Sequence, residues 1–159
     1  MSRLNEIAAR CAEKLIARGE TIAIAESSAG GLISAALLAV PGASAYFLGG
    51  GVIYTQTARE ALLAITASDM ANMRASSEPY ARLLADRVRE KFRASWGLSE
   101  TGAAGPTGNR YGDSPGHVCF GVSGPKAIAR TLETGSPDRA ANMEAFAAAT
   151  LSLLEEALG

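Results

Sequence analysis

Histidine and tryptophan each occur once in these 159 residues, and cysteine twice. Cys11 and Cys119 stand far apart, in apolar surroundings and without CxxC spacing. With only His117 beside them they do not make the ligand set of a metal site, and two small buried thiols are expected. No sign of charge predominates: 15 basic residues face 16 acidic ones, for a net charge of −1. That balance supplies no broad electrostatic footprint for nucleic acid or an anionic membrane surface, although a local anion site stays open. The N-terminal MSRLNEIAARCAEKLIARGE carries charges throughout, so the uninterrupted apolar stretch of a signal peptide or membrane span is missing and a cytoplasmic location is expected.

What is present is apolar residues, 48% of the chain, enough for one sizeable core and a single domain over 1–159. Leu4, Ile7, Ala8, Cys11, Leu15 and Ile16 recur at helical spacing over 2–18, and Gly19 marks the stop. TIAIA reads as a buried strand. SAGGLISAALLAV resumes as a helix that Pro41 and Gly42 close, which makes ESS a strand-to-helix turn. Gly49 to Gly51 lead into VIYT, of strand character, and Thr57 is the expected cap of a helix through ALLAI. Ser77, Glu78 and Pro79 open a helix that Leu83, Leu84, Val88 and Phe92 carry to about Ser95. WGLSETGAAGPTGNRYGDSPG reads as a weak strand entering a long loop. HVCFGVSGP and AIARTLET follow as two strands, and Ser136 with Pro137 starts the last helix. Helices and strands that alternate early, with a hairpin-like pair later, predict an α/β domain with a mixed sheet between helix layers and a site at strand ends.

The turn at 26–31 carries the first candidate site. A serine leaving a strand and entering a helix, followed by glycines, can project its hydroxyl while the amides of Gly30 and Gly31 and the helix dipole face a developing negative charge. The same residues also make an ordinary N-cap, in which serine accepts from the helix amides. Glu26 beside it is either a structural acceptor or a general base. TGAAGPTG, 101–108, offers the Thr101 hydroxyl and the amides of Gly102 and Gly105, a combination that can cradle a phosphate, although it lacks the lysine of a Walker sequence. Arg139 can reach a phosphate with its planar fork of donors, and His117 can act as an acid or base near neutral pH.

Together, AESSAGG, the PGAS turn, GGGVIYTQTAREALL, SEP, TGAAGPTG and GHVCFGV resemble, in order and spacing, the CinA C-terminal-domain family, the nicotinamide-nucleotide amidases. The resemblance runs from about Asn5 to Leu158. It implies a three-layer α/β/α sandwich that deamidates nicotinamide mononucleotide, releasing ammonia, without metal or cofactor. It further implies a small-molecule nucleotide as partner, no nucleic acid or membrane, and a homo-oligomer. The family motif ESxTGG places the nucleophile at Ser27, with Ser28 at the variable position. Its tyrosine falls on Tyr54, the residue before GxAGPxG on Thr101, and an arginine on Arg139. Three positions depart from the family pattern. The lysine expected as general base is Arg59, which stays protonated in proteins and cannot accept a proton. The motif threonine is Ala29, and a second arginine is Met143. Two alternatives therefore stand beside the amidase: a catalytically silent domain that binds a small phosphorylated ligand, and a serine amidase of another amide in which Arg59 recognises an anionic group.

Overall fold

The computed structural model describes residues 2–159. The chain builds α1 (Arg3–Arg18), β1 (Ile22–Glu26), α2 (Leu32–Leu38), β2 (Phe47–Val52), α3 (Gln56–Leu63), α4 (Glu78–Phe92), β3 (Trp96–Ala103), β4 (His117–Ser123), β5 (Ile128–Glu133) and α5 (Arg139–Leu158). The five strands form one mixed sheet in the order β2-β1-β3-β4-β5. β1 runs parallel to β2 and β3, whereas β3–β4 and β4–β5 pair antiparallel.

Side chains alternate across a strand, and this sorts the core into two layers. Ile22, Ile24, Trp96 and Leu98 face α1, α2 and α5, joining Cys11, Leu15, Ile33, Phe146 and Leu151. Ala23 and Ala25 face the opposite way, towards Leu63, Ile65, Tyr80, Leu84 and Val88 of α3, α4 and their connection. The sheet lies between the two layers, which is the α/β/α sandwich expected. Both thiols are buried, and burial pushes Cys11 up to about 12. Among the described residues no helix is long and apolar enough to cross a membrane.

Several boundaries differ from those expected, each for a local reason. The three glycines lie inside β2 instead of before it. Gly50 pairs with Ile24, and a Cβ there would stand 1.8 Å from the Ile24 carbonyl oxygen, so only glycine lets the two strands approach. VIYT is mostly beyond the strand. Thr55, not Thr57, caps α3, its hydroxyl accepting from Ala58 N. Asp138 displaces Ser136 as the cap of α5, accepting from Ala141 N. α4 does start at the Ser77 cap but stops at Phe92, where Arg93 turns left-handed. β3 is no weak strand: it is central, eight residues long and buried along almost its whole length.

Candidate functional site

β1 and β3 end side by side, and the segments leaving them meet the start of α5. Glu26, the last residue of β1, is fully buried and turns its carboxylate into the helical layer. It accepts from Gly31 N (2.9 Å), Ile33 N (3.1 Å), Ser34 N (2.9 Å) and the Ser34 hydroxyl (2.8 Å). These are the free amides of the first turn of α2, whose own capping position, Gly31, has no side chain to offer. Of the two roles open to Glu26, the structure selects the acceptor.

A second carboxylate, Glu100 in β3, lies beneath the same turn and is also fully buried. One oxygen accepts from both Ser27 N and Ala29 N, each at 2.9 Å, while the other has no partner. Burial pushes this carboxyl up to about 7; the amides of Ala29 and Ser27 oppose the rise and the neighbouring Glu26 adds to it. Gly30 N donates to Ser27 O, and Gly31 N to Glu26. The expectation that the Gly30 and Gly31 amides face a reacting oxygen is therefore corrected, because two buried carboxylates and the turn itself draw the amides inward. The glycines serve the turn: Gly30 and Gly31 have φ of 65° and 105°, and a Cβ on Gly30 would meet the Met143 methyl at 2.9 Å.

Ser27 is 9% exposed, and among the described residues its hydroxyl has no hydrogen-bond partner. Ser28 donates to Gly102 O at 2.6 Å and is the turn residue that lines a pocket of about 280 Å³. That pocket also receives Tyr54, Gly102, Gly105, Asn109 and Arg139. Arg139, the first residue of α5, donates to Tyr54 Oη at 3.1 Å and to Gly105 O, fastening the segment after β2 to the loop after β3.

Thr101 and Arg59 are not part of this pocket. Thr101 points to the other face of the sheet, is 3% exposed, and accepts from Ser76 N at 3.1 Å, so it anchors the segment that leads into α4. Arg59, one turn into α3, lies with its guanidinium carbon 5.1 Å from the centre of the Tyr80 ring and borders a different cavity, of about 290 Å³. The single constellation expected from the sequence is thus divided between two cavities and a buried turn. His117 is likewise held elsewhere: Nδ1 faces the Glu133 carboxylate at 2.8 Å and Nε2 faces Ser76 O at 2.8 Å. Among the described residues no cluster of His, Cys, Asp or Glu has the makings of a metal site. Glu100 is the residue that sequence reasoning passed over. The signal was a lone acidic side chain in the run GLSETGA, which would have to be satisfied inside the sheet.

A sequence model of the CinA C-terminal domain matches residues 4–158. A CinA-like protein of Anaeromyxobacter sp. (strain Fw109-5) is 42% identical over 156 residues, covering 96% of this chain and 37% of that protein. The chain therefore spans a little over a third of such curated relatives. Among solved structures, a competence or damage-inducible protein from Enterobacter asburiae superposes with a TM-score of 0.91 at 27% identity, over 100% of both chains. A competence-damaged protein (CinA) superfamily protein from Klebsiella pneumoniae superposes with a TM-score of 0.90 at 27% identity, over 98% of this chain and 97% of that one.

Proposed function

The chain belongs to the CinA C-terminal-domain family, and from that premise we propose that it is an amidohydrolase resembling the nicotinamide mononucleotide deamidases, with Ser27 as nucleophile. The observation that carries this reading is the pairing of Tyr54 with Arg139, 85 residues apart in sequence, at a polar pocket lined by Ser28, the neighbour of Ser27 in the turn.

In this reaction the Ser27 oxygen bonds to the carboxamide carbon. The carbon–nitrogen bond breaks, and the nitrogen leaves as ammonia, having taken up the serine proton. Water then adds to the serine ester, the bond to serine breaks, the hydroxyl regains its proton and nicotinate mononucleotide departs. Arg139 supplies the cation for the phosphate, and Tyr54, which accepts from it, fixes its direction. Gly102 and Gly105 line the same pocket, and their carbonyl oxygens accept from Ser28 and Arg139. No group expected to serve as base touches the Ser27 hydroxyl: Glu26 is engaged by four donors, His117 by Glu133 and Ser76, and Arg59 lies over Tyr80. A missing base forfeits roughly 10² to 10⁴ in rate, so turnover is slow.

The second reading, a silent domain that binds a small phosphorylated ligand, is favoured by one specific fact. The amides of Ser27, Ala29, Gly30 and Gly31 all have internal acceptors, so these four are not turned to an oxyanion. Ammonia release from nicotinamide mononucleotide, compared between wild type, Ser27→Ala and Ser28→Ala, separates the readings. The amidase requires release that disappears with Ser27→Ala and persists with Ser28→Ala. Equal background in all three leaves the binding domain, and loss confined to Ser28→Ala moves the nucleophile by one residue.

A further inference from the structure

We propose that the cavity beside Arg59 is a second binding site, for a small molecule that carries a phosphate or carboxylate on an aromatic or apolar body. It is separate from the Tyr54–Arg139 pocket and does not rest on the amidase reading.

Three arginines, Arg59, Arg74 and Arg110, border this cavity of about 290 Å³, and Glu60 is the acidic residue on its wall. Only Arg74 has its charge answered, by both carboxylate oxygens of Asp113, at 2.7 and 3.1 Å. Among the described residues Arg59 and Arg110 have no carboxylate partner. Arg110 donates to the Tyr111 hydroxyl at 3.0 Å, whereas the Arg59 Nε is buried with no acceptor. A guanidinium brought partly out of water ordinarily finds an oxygen acceptor, since burying a charge without one is costly. The Nε itself is closed off, but Arg59 lines the cavity, which gives room for an acceptor at the other donors of its planar fork, a match for a phosphate or a carboxylate.

The remaining walls define the rest of the ligand. Ile65, Met70 and Met73 give an apolar side, and Met is the side chain that best adapts to an irregular partner. The guanidinium carbons of Arg74 and Arg110 each lie 5.1 Å from the centre of the Tyr111 ring, so the wall these three residues share is both cationic and aromatic. A free inorganic ion would use only the charge; an aromatic or apolar monoester or acid uses both walls.

The site is read by titrating the full-length chain with phenyl phosphate, with inorganic phosphate and phenol as partial probes, in wild type and in Arg139→Met, which removes the cation of the other pocket. Phenyl phosphate is expected to bind Arg139→Met with one equivalent, more tightly than either partial probe. Adding Arg59→Met, which keeps a long side chain over Tyr80, is expected to weaken it by about tenfold or more, the worth of a charge-assisted contact. Arg110→Ser, a change at an exposed residue, is expected to weaken it by a smaller factor. Denaturation of each variant reports its folding separately. Absence of binding to Arg139→Met at millimolar ligand, or binding that Arg59→Met and Arg110→Ser leave unchanged, overturns the proposal. Either result leaves the outcome of the ammonia assay untouched.

Discussion

Replacing Glu100 with glutamine tests the electrostatics beneath the turn directly. In the fold this carboxyl is fully buried, with one oxygen unpartnered, and burial raises it from 4.5 to about 7. The folded state thus holds the proton more tightly than the unfolded chain. Its contribution to stability is complete below pH 4.5 and is lost as pH rises through 7. A difference of about 2.5 units is worth roughly 3 kcal/mol, of which about 2 to 3 kcal/mol falls between pH 5 and pH 8. Glutamine cannot ionise, and its carbonyl can still accept from Ser27 and Ala29; its extra donor, left without a partner, costs about 1–3 kcal/mol at every pH. That constant offset cancels when slopes are compared. Asp69, Asp113, Glu155 and Glu156, all lowered by hydrogen bonds or cationic partners, lose stability as pH falls in the acid range and do so equally in both proteins. Urea denaturation at pH 5, 6, 7 and 8 is therefore expected to show Glu100→Gln gaining about 2 to 3 kcal/mol on wild type across the range, or roughly 5–10 °C in melting temperature for a domain of this size. Parallel curves for the two proteins would refute the reasoning, because they would mean that Glu100 is charged or solvated to the same degree folded and unfolded.

Gly50→Ala places a Cβ 1.8 Å from the Ile24 carbonyl oxygen and is expected to lower stability by about 3 kcal/mol or more, read as a lower urea midpoint; a loss under about 1 kcal/mol would mean that β1 and β2 can separate without harm. Thr101→Val removes the acceptor of the buried Ser76 amide and is expected to cost about 1–3 kcal/mol in the same measurement, with faster hydrogen exchange at Ser76; unchanged exchange there would sink the anchoring role.

The layers of the fold were legible because β1, α1 and the start of α4 announce themselves by period and by caps, and the Ser77 cap stands where the sequence places it. The glycine strand β2 was not, since glycine carries no side-chain pattern and its reason is the backbone of a neighbour far away in sequence. The caps of α3 and α5 were each displaced by two residues because serine, threonine and aspartate compete for the same role at each helix start. At the candidate site, Tyr54, Gly102, Gly105 and Arg139 do share a pocket, as their motifs led one to expect. The direction of the amides at 27–31 was illegible, because it is set by Glu100, more than seventy residues downstream. Which side of the sheet Thr101 and Arg59 occupy follows likewise from strand alternation and from the exit of α3, neither of which a motif spacing records.

The segment joining β3 to β4 borders both cavities, contributing Thr107, Gly108 and Asn109 to one and Arg110 and Tyr111 to the other. It is a party wall. A deletion or insertion of even one residue there reshapes two rooms together, so the chain cannot revise the dimensions of either chamber independently by changing the length of this stretch; side-chain replacement, which alters one face at a time, is the only means of tuning them apart.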